Sequence, residues 1–273
     1  MGKVRALVLT GFGLNCDLET AYCLDRAGAQ TDRVHLNGLL GGEVSLRDFQ
    51  IFVVGGGFSW GDDHGAGVIM AMRIKHRLKD DLLDLVHKGG LVLGICNGFQ
   101  VLVNLGILPG FEPGEFRREV ALIHNDCGSF RDQWVRLTAE AASPCVFTRE
   151  INRLELPIRH GEGKFYAEPE TFRKLVENRQ VVLRYAAPDG SPADGQFPWN
   201  PNGSLDDVAG ICDPTGRIFG LMPHPEAYNH WTNHPDWTLQ KEILRRQGRP
   251  CPEEGLGMRS EEHTSELQSH SFI

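Results

Sequence analysis

The first 115 residues alternate short apolar runs with longer stretches in which apolar positions recur every three or four residues. Short apolar runs are typical of buried strands, and the longer spacing is typical of helices. The predicted strands are 3–10, 31–36, 49–63 (which runs into a glycine-rich loop) and 91–95, and the predicted helices are 18–29, 67–90 and one that starts directly after residue 96. Strands that alternate with helices predict an open, mostly parallel α/β sheet flanked by helices.

The pattern changes after about residue 115. Short extended runs separated by turn residues predict added antiparallel strands, and the last of them are expected to rejoin the sheet. The Gly- and Pro-rich stretch 188–204 predicts a long loop. We expect one domain over 1–250 and a C-terminal tail over 251–273. Its last part, 259–273, resembles the translation of a sequencing adapter, and we expect it to be artefactual and disordered.

Composition and charge narrow the class of protein. The 273 residues carry a formal net charge of -8, which argues against a nucleic-acid-binding surface. No apolar run approaches the roughly 20 residues that a membrane span needs. The N-terminus resembles a first strand rather than a signal peptide, so we expect a cytoplasmic protein. The seven cysteines include no C-x-x-C pair, which disfavours a disulfide framework or a thiolate zinc site. We interpret six of them as small buried hydrophobes and except Cys96.

Cys96 stands on the bend between a predicted strand and a predicted helix, in the sequence LVLGICNGFQ. Gly94 and Gly98 flank it, in the layout of a nucleophile elbow, G-x-C-x-G in place of G-x-S-x-G. The thiol is then expected to be exposed at the carboxyl edge of the sheet, where ligands of open α/β folds bind. The positive end of the following helix favours thiolate over thiol. The alternative is a structural cysteine between two packing glycines.

Two backbone amides are candidates to bind an oxyanion. The N–H of Asn97 follows the nucleophile directly and lies at a helix N-terminus. The second donor is predicted at Gly57 or Phe58, in the glycine triplet that ends the third strand. The triplet lacks the G-K-[ST] ending of a P-loop, so it is not expected to bind phosphate.

A thiolate that attacks a carbonyl needs a proton donor for the leaving group. The segment LMPHPEAY offers His224 and Glu226, two residues apart and flanked by prolines. In an extended chain such residues point the same way, so the carboxylate could orient the imidazole as the acid of a triad does. The alternative is a surface turn with a solvated histidine and glutamate.

Together these residues resemble the class I glutamine amidotransferases, which use a Cys-His-Glu triad on an α/β sheet. The stretches NCDLET, GGFSWGDDHGAG, RHGEGKF and NPNGSLDDVAGICD narrow the resemblance to glutaminase subunits of phosphoribosylformylglycinamidine synthases. The resemblance spans roughly residues 3–247. It implies a flavodoxin-like sheet and hydrolysis of glutamine by Cys96, with His224 as proton donor and Glu226 as its partner.

The resemblance also implies further residues and partners. Gln100 would hold the substrate, and His160 and Gly161 would line the glutamine pocket. Ammonia would pass to a large synthetase subunit that uses ATP and Mg to amidate formylglycinamide ribonucleotide, and a small third subunit would bridge the two. No cofactor and no metal are expected in this chain, and neither nucleic acid nor membrane is expected as a partner.

Two other classes of function remain open from the sequence. One is a stand-alone cysteine hydrolase or deglycase on the same sheet. Such proteins commonly carry histidine directly after the cysteine, where this chain has Asn97. The other is a catalytically inactive regulatory subunit. The loss of a triad member would favour it, but Cys96, His224 and Glu226 are all present.

Overall fold

The computed structural model describes residues 3–252, so most of the predicted tail lies outside the described residues. The strands are β1 Arg5–Thr10, β2 Gln30–His35, β3 Ile51–Val54, β4 Leu91–Ile95, β5 Val120–Ile123, β6 Arg131–Ala139, β7 Arg153–His160, β8 Lys164–Ala167, β9 Val181–Ala186, β10 Val208–Cys212 and β11 Ile218–Leu221. The helices are α1 Asp17–Arg26, α2 Leu36–Gly41, α3 Val68–His87, α4 Asn97–Leu105, α5 Pro169–Glu177 and α6 Trp237–Arg246.

Nine strands form one sheet in the order β2-β1-β3-β4-β11-β10-β9-β6-β7. The first five in this order are parallel to one another, and each of the other four is antiparallel to its neighbour. Strands β5 and β8 form a separate antiparallel pair. The predicted open α/β sheet with added antiparallel strands is confirmed, and so is the return of a late strand, β11, beside β4.

The parallel half of the sheet is buried. All four residues of β3 and the central four of β1 are at most 2% exposed, which explains why these strands have continuous apolar sequences. Helix α1 contacts β1 and β2, and helix α4 contacts β3, β4 and β11. The carboxyl ends of β3, β4 and β11 therefore meet next to the N-terminus of α4. No helix among residues 3–252 is long and apolar enough to span a membrane.

Three helices and one strand escaped the sequence prediction. Helices α5 and α6 do carry apolar residues on one face, which the sequence prediction overlooked, but α6 has no buried residue and α5 buries only Leu175. Helix α2 is only six residues long. Strand β10 follows the loop 188–204, whose turn residues concealed the start of a new strand.

Gly98 sets how closely α4 approaches the sheet. A Cβ on Gly98 would overlap the carbonyl oxygen of Val54 in β3. We expect Gly98→Ala to lower the free energy of unfolding by about 2–3 kcal/mol, although alanine is the better helix former. Chemical denaturation measures the difference. Gly41→Ala is the matched control, since a Cβ at that helical glycine meets nothing within 4 Å. Equal stability of the two variants would contradict this packing.

Candidate functional site

Cys96 lies on a sharp turn between β4 and α4. Its backbone angles are φ 52° and ψ -104°, a conformation that L-residues rarely adopt. Two main-chain bonds fix the turn, from Cys96 N–H to the Leu221 carbonyl at 2.8 Å and from Gln100 N–H to the Cys96 carbonyl at 3.1 Å. Gly94 and Gly98 pack directly against each other beneath it. The predicted strand-turn-helix geometry is therefore present.

The thiol of Cys96 is less open than the sequence led us to expect. It lies at the carboxyl end of β4, but the residue is only 4% exposed. Its Sγ is 3.6 Å from the carbonyl oxygen of Arg159, which reaches over it from β7. The prediction of an exposed thiol is thus wrong, because a strand from the second half of the chain covers this edge of the sheet.

His224 and Glu226 form a buried pair. Nδ1 of His224 lies 2.6 Å from Oε1 of Glu226, and the two residues are 2% and 1% exposed. The backbone N–H of His224 donates to the Pro157 carbonyl at 2.8 Å, which ties the segment to β7. The predicted contact exists, but its geometric reason was wrong. The chain is extended at His224 itself but does not stay so, since a 3₁₀ turn occupies Pro225–Tyr228.

The environment of His224 favours the charged imidazole. Burial alone would lower the pKa of His224, but the charges of Glu226 and Cys96 and the contact with Cys16 act in the opposite direction. The net result is a pKa well above the ordinary value. Nε2 of His224 is buried and has no hydrogen-bond partner within residues 3–252. That nitrogen is the one available to a reacting group.

Of the two predicted second oxyanion donors, Gly57 fits better than Phe58. The N–H of Phe58 donates to the Gly13 carbonyl at 2.9 Å, so it is already engaged. Gly57 has a φ of 144°, and a Cβ there would lie 2.7 Å from the Cα of Leu14. Only glycine fits between these two loops. The other candidate donor, the N–H of Asn97, belongs to the first turn of α4.

A polar cluster lies beside the elbow. The side chain of Asn97 accepts a hydrogen bond from Ser59 N–H at 3.3 Å and donates to Oε1 of Gln100 at 3.0 Å. Nε2 of Gln100 in turn donates to the Glu162 carbonyl at 2.6 Å. Asn97 also lies 3.4 Å from the Asp62 carboxylate. Burial and the charge of Glu162 raise the pKa of Asp62 to about 6. This cluster offers negative charge to a bound ligand.

His160 is held in one tautomer. The amide nitrogen of Asn125 donates to the His160 carbonyl and to the Ser129 carbonyl, so Asn125 Oδ1 is an acceptor. That oxygen receives Gly163 N–H and lies 3.1 Å from Nδ1 of His160, which must carry the proton. Burial, and then the charge of His224, lower the pKa of His160 to about 3. His160 therefore stays neutral, with a buried Nε2 lone pair that has no partner among the described residues.

Gly161 contributes its backbone to the same region. Its carbonyl accepts from Asn125 N–H at 2.9 Å, and a Cβ there would meet nothing within 4 Å. Gly161 is therefore not required for close packing, and its predicted place in the ligand pocket stays a prediction.

The interpretation of six cysteines as buried hydrophobes was wrong for three of them. Cys127 and Cys251 are exposed, and Cys16 is only partly buried. Cys16 Sγ lies 3.9 Å from Nδ1 of His224, a contact that the sequence did not suggest. The only signal was the motif NCDLET, which has no recognisable chemistry by itself. Asn125 and Asp62 were also missed, because the sequence around them has no pattern that indicates a particular chemistry.

Cys16, His224 and Glu226 also form the one group within residues 3–252 that brings three potential metal-ligating atoms together, all within 4.8 Å of one another. The separation of 2.6 Å between the nitrogen and the carboxylate oxygen is that of a hydrogen bond. It fits a shared proton better than an ion between them.

Comparison with known proteins identifies the family. The family model of the CobB/CobQ-like glutamine amidotransferase domain matches residues 3–250. Phosphoribosylformylglycinamidine synthase subunit PurQ of Methanococcus maripaludis strain S2 is 48% identical over 251 residues, which cover 91% of each chain. The subunit of the same name from Dehalococcoides mccartyi is 44% identical over 240 residues, 88% of this chain and 91% of the relative.

A solved structure agrees with these relatives. A chain in the structure of PurLQS from Thermotoga maritima superimposes with a TM-score of 0.66 at 28% identity, covering 90% of this chain and all of that one. The family model spans most of the sequence, and the relatives are similar over nearly their full length. The chain therefore belongs to the glutamine amidotransferases, in the family of phosphoribosylformylglycinamidine synthase subunit PurQ.

Proposed function

We propose that this chain is the glutaminase subunit of a phosphoribosylformylglycinamidine synthase and that Cys96, His224 and Glu226 carry out its reaction. The assignment of roles rests on the buried pair in which Nδ1 of His224 lies 2.6 Å from Oε1 of Glu226. The charge of Cys96, on the nucleophile elbow, acts on the same imidazole. Relatives that are 48% and 44% identical bear the name of this subunit.

The reaction begins with the thiolate of Cys96. It attacks the side-chain carboxamide carbon of glutamine, and the oxygen becomes an oxyanion that the N–H groups of Asn97 and Gly57 stabilise. As the C–N bond breaks, Nε2 of His224 gives its proton to the leaving nitrogen, and ammonia departs. His224 then takes a proton from water, which attacks the thioester. Glutamate is released and Cys96 is regenerated.

The polar cluster beside the elbow suits the amino-acid end of glutamine. An α-ammonium group is best held by carboxylates and carbonyls, and Asp62 and Glu162 supply both. Gln100 is anchored to the Glu162 carbonyl and to Asn97, so its position is fixed before substrate arrives. His160 and Gly161 are proposed to complete the pocket from the β7 side.

The ammonia is consumed by a partner. We propose that it passes to the large synthetase subunit, which converts formylglycinamide ribonucleotide to formylglycinamidine ribonucleotide. ATP and Mg are proposed to bind on that subunit, and a small third subunit bridges the two proteins. The PurLQS structure from Thermotoga maritima supports such an assembly. Cytoplasmic location is proposed as well, because a reducing compartment keeps thiols such as Cys96 in the reduced form.

Coupling to the partner gives a direct test. We expect slow glutamine hydrolysis by the isolated chain and at least about a tenfold higher rate once the synthetase, the small subunit, ATP and formylglycinamide ribonucleotide are added, since closure around substrate completes such sites. Glutamate release measures both rates. Omitting only the acceptor nucleotide is the control. A rate that is substantial in isolation and insensitive to the partners would instead favour a stand-alone hydrolase.

A further inference from the structure

Cys16 touches the imidazole at the nitrogen that Glu226 also engages. Its Sγ lies 3.9 Å from Nδ1 of His224, and Oε1 of Glu226 lies 2.6 Å from the same nitrogen. Cys16 immediately precedes α1, so this contact joins the first helix to a segment 208 residues later in the chain. This thiol takes no part in the proposed steps of glutamine hydrolysis.

The imidazole is confined on a second side by Gly56. A Cβ on Gly56 would lie 2.6 Å from Cε1 of His224 and 3.2 Å from Sγ of Cys16. The ring edge formed by Cε1 and Nδ1 is therefore packed against both the Gly56 backbone and the thiol. A single hydrogen bond to Glu226 would leave the ring free to tilt about that bond. The contacts with Gly56 and Cys16 remove this freedom.

Cys16 acts in its neutral form. Burial is the largest influence and raises the pKa of Cys16, although the contact with His224 opposes it. The sulfur lies 3.3 Å from Oδ1 of Asn15, to which its S–H donates. With the thiol proton directed at Asn15, the sulfur lone pairs face Nδ1–H of His224. A neutral acceptor supports the proton on Nδ1 without competing for it, as a second carboxylate would.

We propose that Cys16 is a positioning residue for His224, whose thiol fixes the plane of the imidazole and supports the proton on Nδ1 so that Nε2 meets the leaving group. This inference rests on the proposed role of His224 in glutamine hydrolysis. It adds a fourth side chain, from the NCDLET segment, to the machinery that orients the proton donor.

The groups that face His224 set the expected pH dependence. They are Glu226 from the 3₁₀ turn, Cys96 from the elbow, Cys16 ahead of α1 and His160 from β7. His160 is neutral, and Glu226 and Cys96 remain in place when Cys16 is replaced. Loss of the sulfur contact therefore lowers the pKa of His224 while the stronger influences persist. The alkaline limb of the rate profile should move to lower pH.

Two substitutions that remove the sulfur of Cys16 test the proposal, and they differ in whether they leave a cavity. Cys16→Ala removes the sulfur and leaves space, whereas Cys16→Val fills the space without offering a lone pair. We expect each of these two variants to lower kcat for glutamine hydrolysis about tenfold and to leave KM within about twofold of wild type. A tilted imidazole slows proton transfer but does not weaken the binding of substrate. Cys16→Ser, which keeps a polar acceptor, should recover most of the rate.

Cys23 provides the matched control. It lies on α1, is 4% exposed, and its Sγ approaches the Glu226 carbonyl at 3.8 Å rather than the imidazole. Cys23→Ala should leave the alkaline limb where it is. An equal loss of kcat in Cys23→Ala would show that packing alone is at work and would overturn the proposal. So would unchanged kinetics, or a change confined to KM, in the Cys16 variants.

An NMR titration of His224 in the resting protein separates this inference from the proposed function. We expect a lower pKa of His224 in Cys16→Ala than in the wild type, and equal values would overturn the positioning role. This result does not depend on turnover. The proposed function fails on a different result, namely glutamine hydrolysis that survives without the Cys96 thiol.

Discussion

Replacement of Cys96 by serine is expected to lower glutamine hydrolysis by at least about 10³-fold, because the hydroxyl does not form the anion that a thiol forms at neutral pH. The fold should persist. Serine is nearly isosteric with cysteine, and the residue keeps its turn through main-chain bonds to Leu221 and Gln100 that do not involve the side chain. Glutamate release measures the loss, and thermal unfolding checks the fold.

Cys127→Ser is the control for this variant. Cys127 is exposed, and hydrogen bonds with Ser129 lower its pKa. It is therefore the other thiol that we expect to react with an electrophile. A diazo-ketone analogue of glutamine should label Cys96 in the wild type and in Cys127→Ser, and it should label nothing in Cys96→Ser. Mass spectrometry locates the label. Turnover by Cys96→Ser, or label on Cys127, would contradict the assignment of the nucleophile.

The elbow could be predicted because its requirements are local. A residue with φ 52° between a buried strand and a helix needs small neighbours, and Gly94 and Gly98 meet that need within five positions of sequence. The His224–Glu226 contact was also local, since it spans two residues. It survived a wrong assumption about the backbone, because a 3₁₀ turn can still bring the two side chains together.

The cover over the site could not be predicted, because it depends on pairing between distant strands. Arg159 reaches Cys96, and Pro157 reaches His224, although β7 is an outermost strand and lies five places from β4 in the order of the nine-stranded sheet. The pattern of apolar and polar residues within β7 does not indicate which other strands or loops it contacts. The contact between Cys16 and His224 spans 208 residues and has the same origin. Periodicity indicates which face of an element is buried, but not what covers it.

Replacement of Glu226 by glutamine is expected to lower kcat by about 10³–10⁴-fold, the scale seen when the acid of a catalytic triad becomes an amide. The carboxylate raises the pKa of His224 against the opposing effect of burial. Without it, only Cys96 and Cys16 oppose the effect of burial, so the pKa of His224 falls and the imidazole loses its proton at a lower pH. The residual activity should therefore decline at lower pH than in the wild type. The amide can also donate to Nδ1 and so select the wrong tautomer.

A second histidine–glutamate pair in the same chain makes this prediction specific. His234 Nε2 lies 3.5 Å from a carboxylate oxygen of Glu155, and that pair has no role in the proposed reaction. Glu155→Gln should leave kcat within about twofold of wild type and the pH profile unshifted. The two variants remove the same charge from the chain, so a difference between them isolates the position of Glu226. If kcat of Glu226→Gln stayed within tenfold of the wild type across the pH range, Glu226 would be excluded from the triad. An amide of nearly equal volume preserves the packing of the carboxylate, so such a result would mean that Glu226 only supports packing.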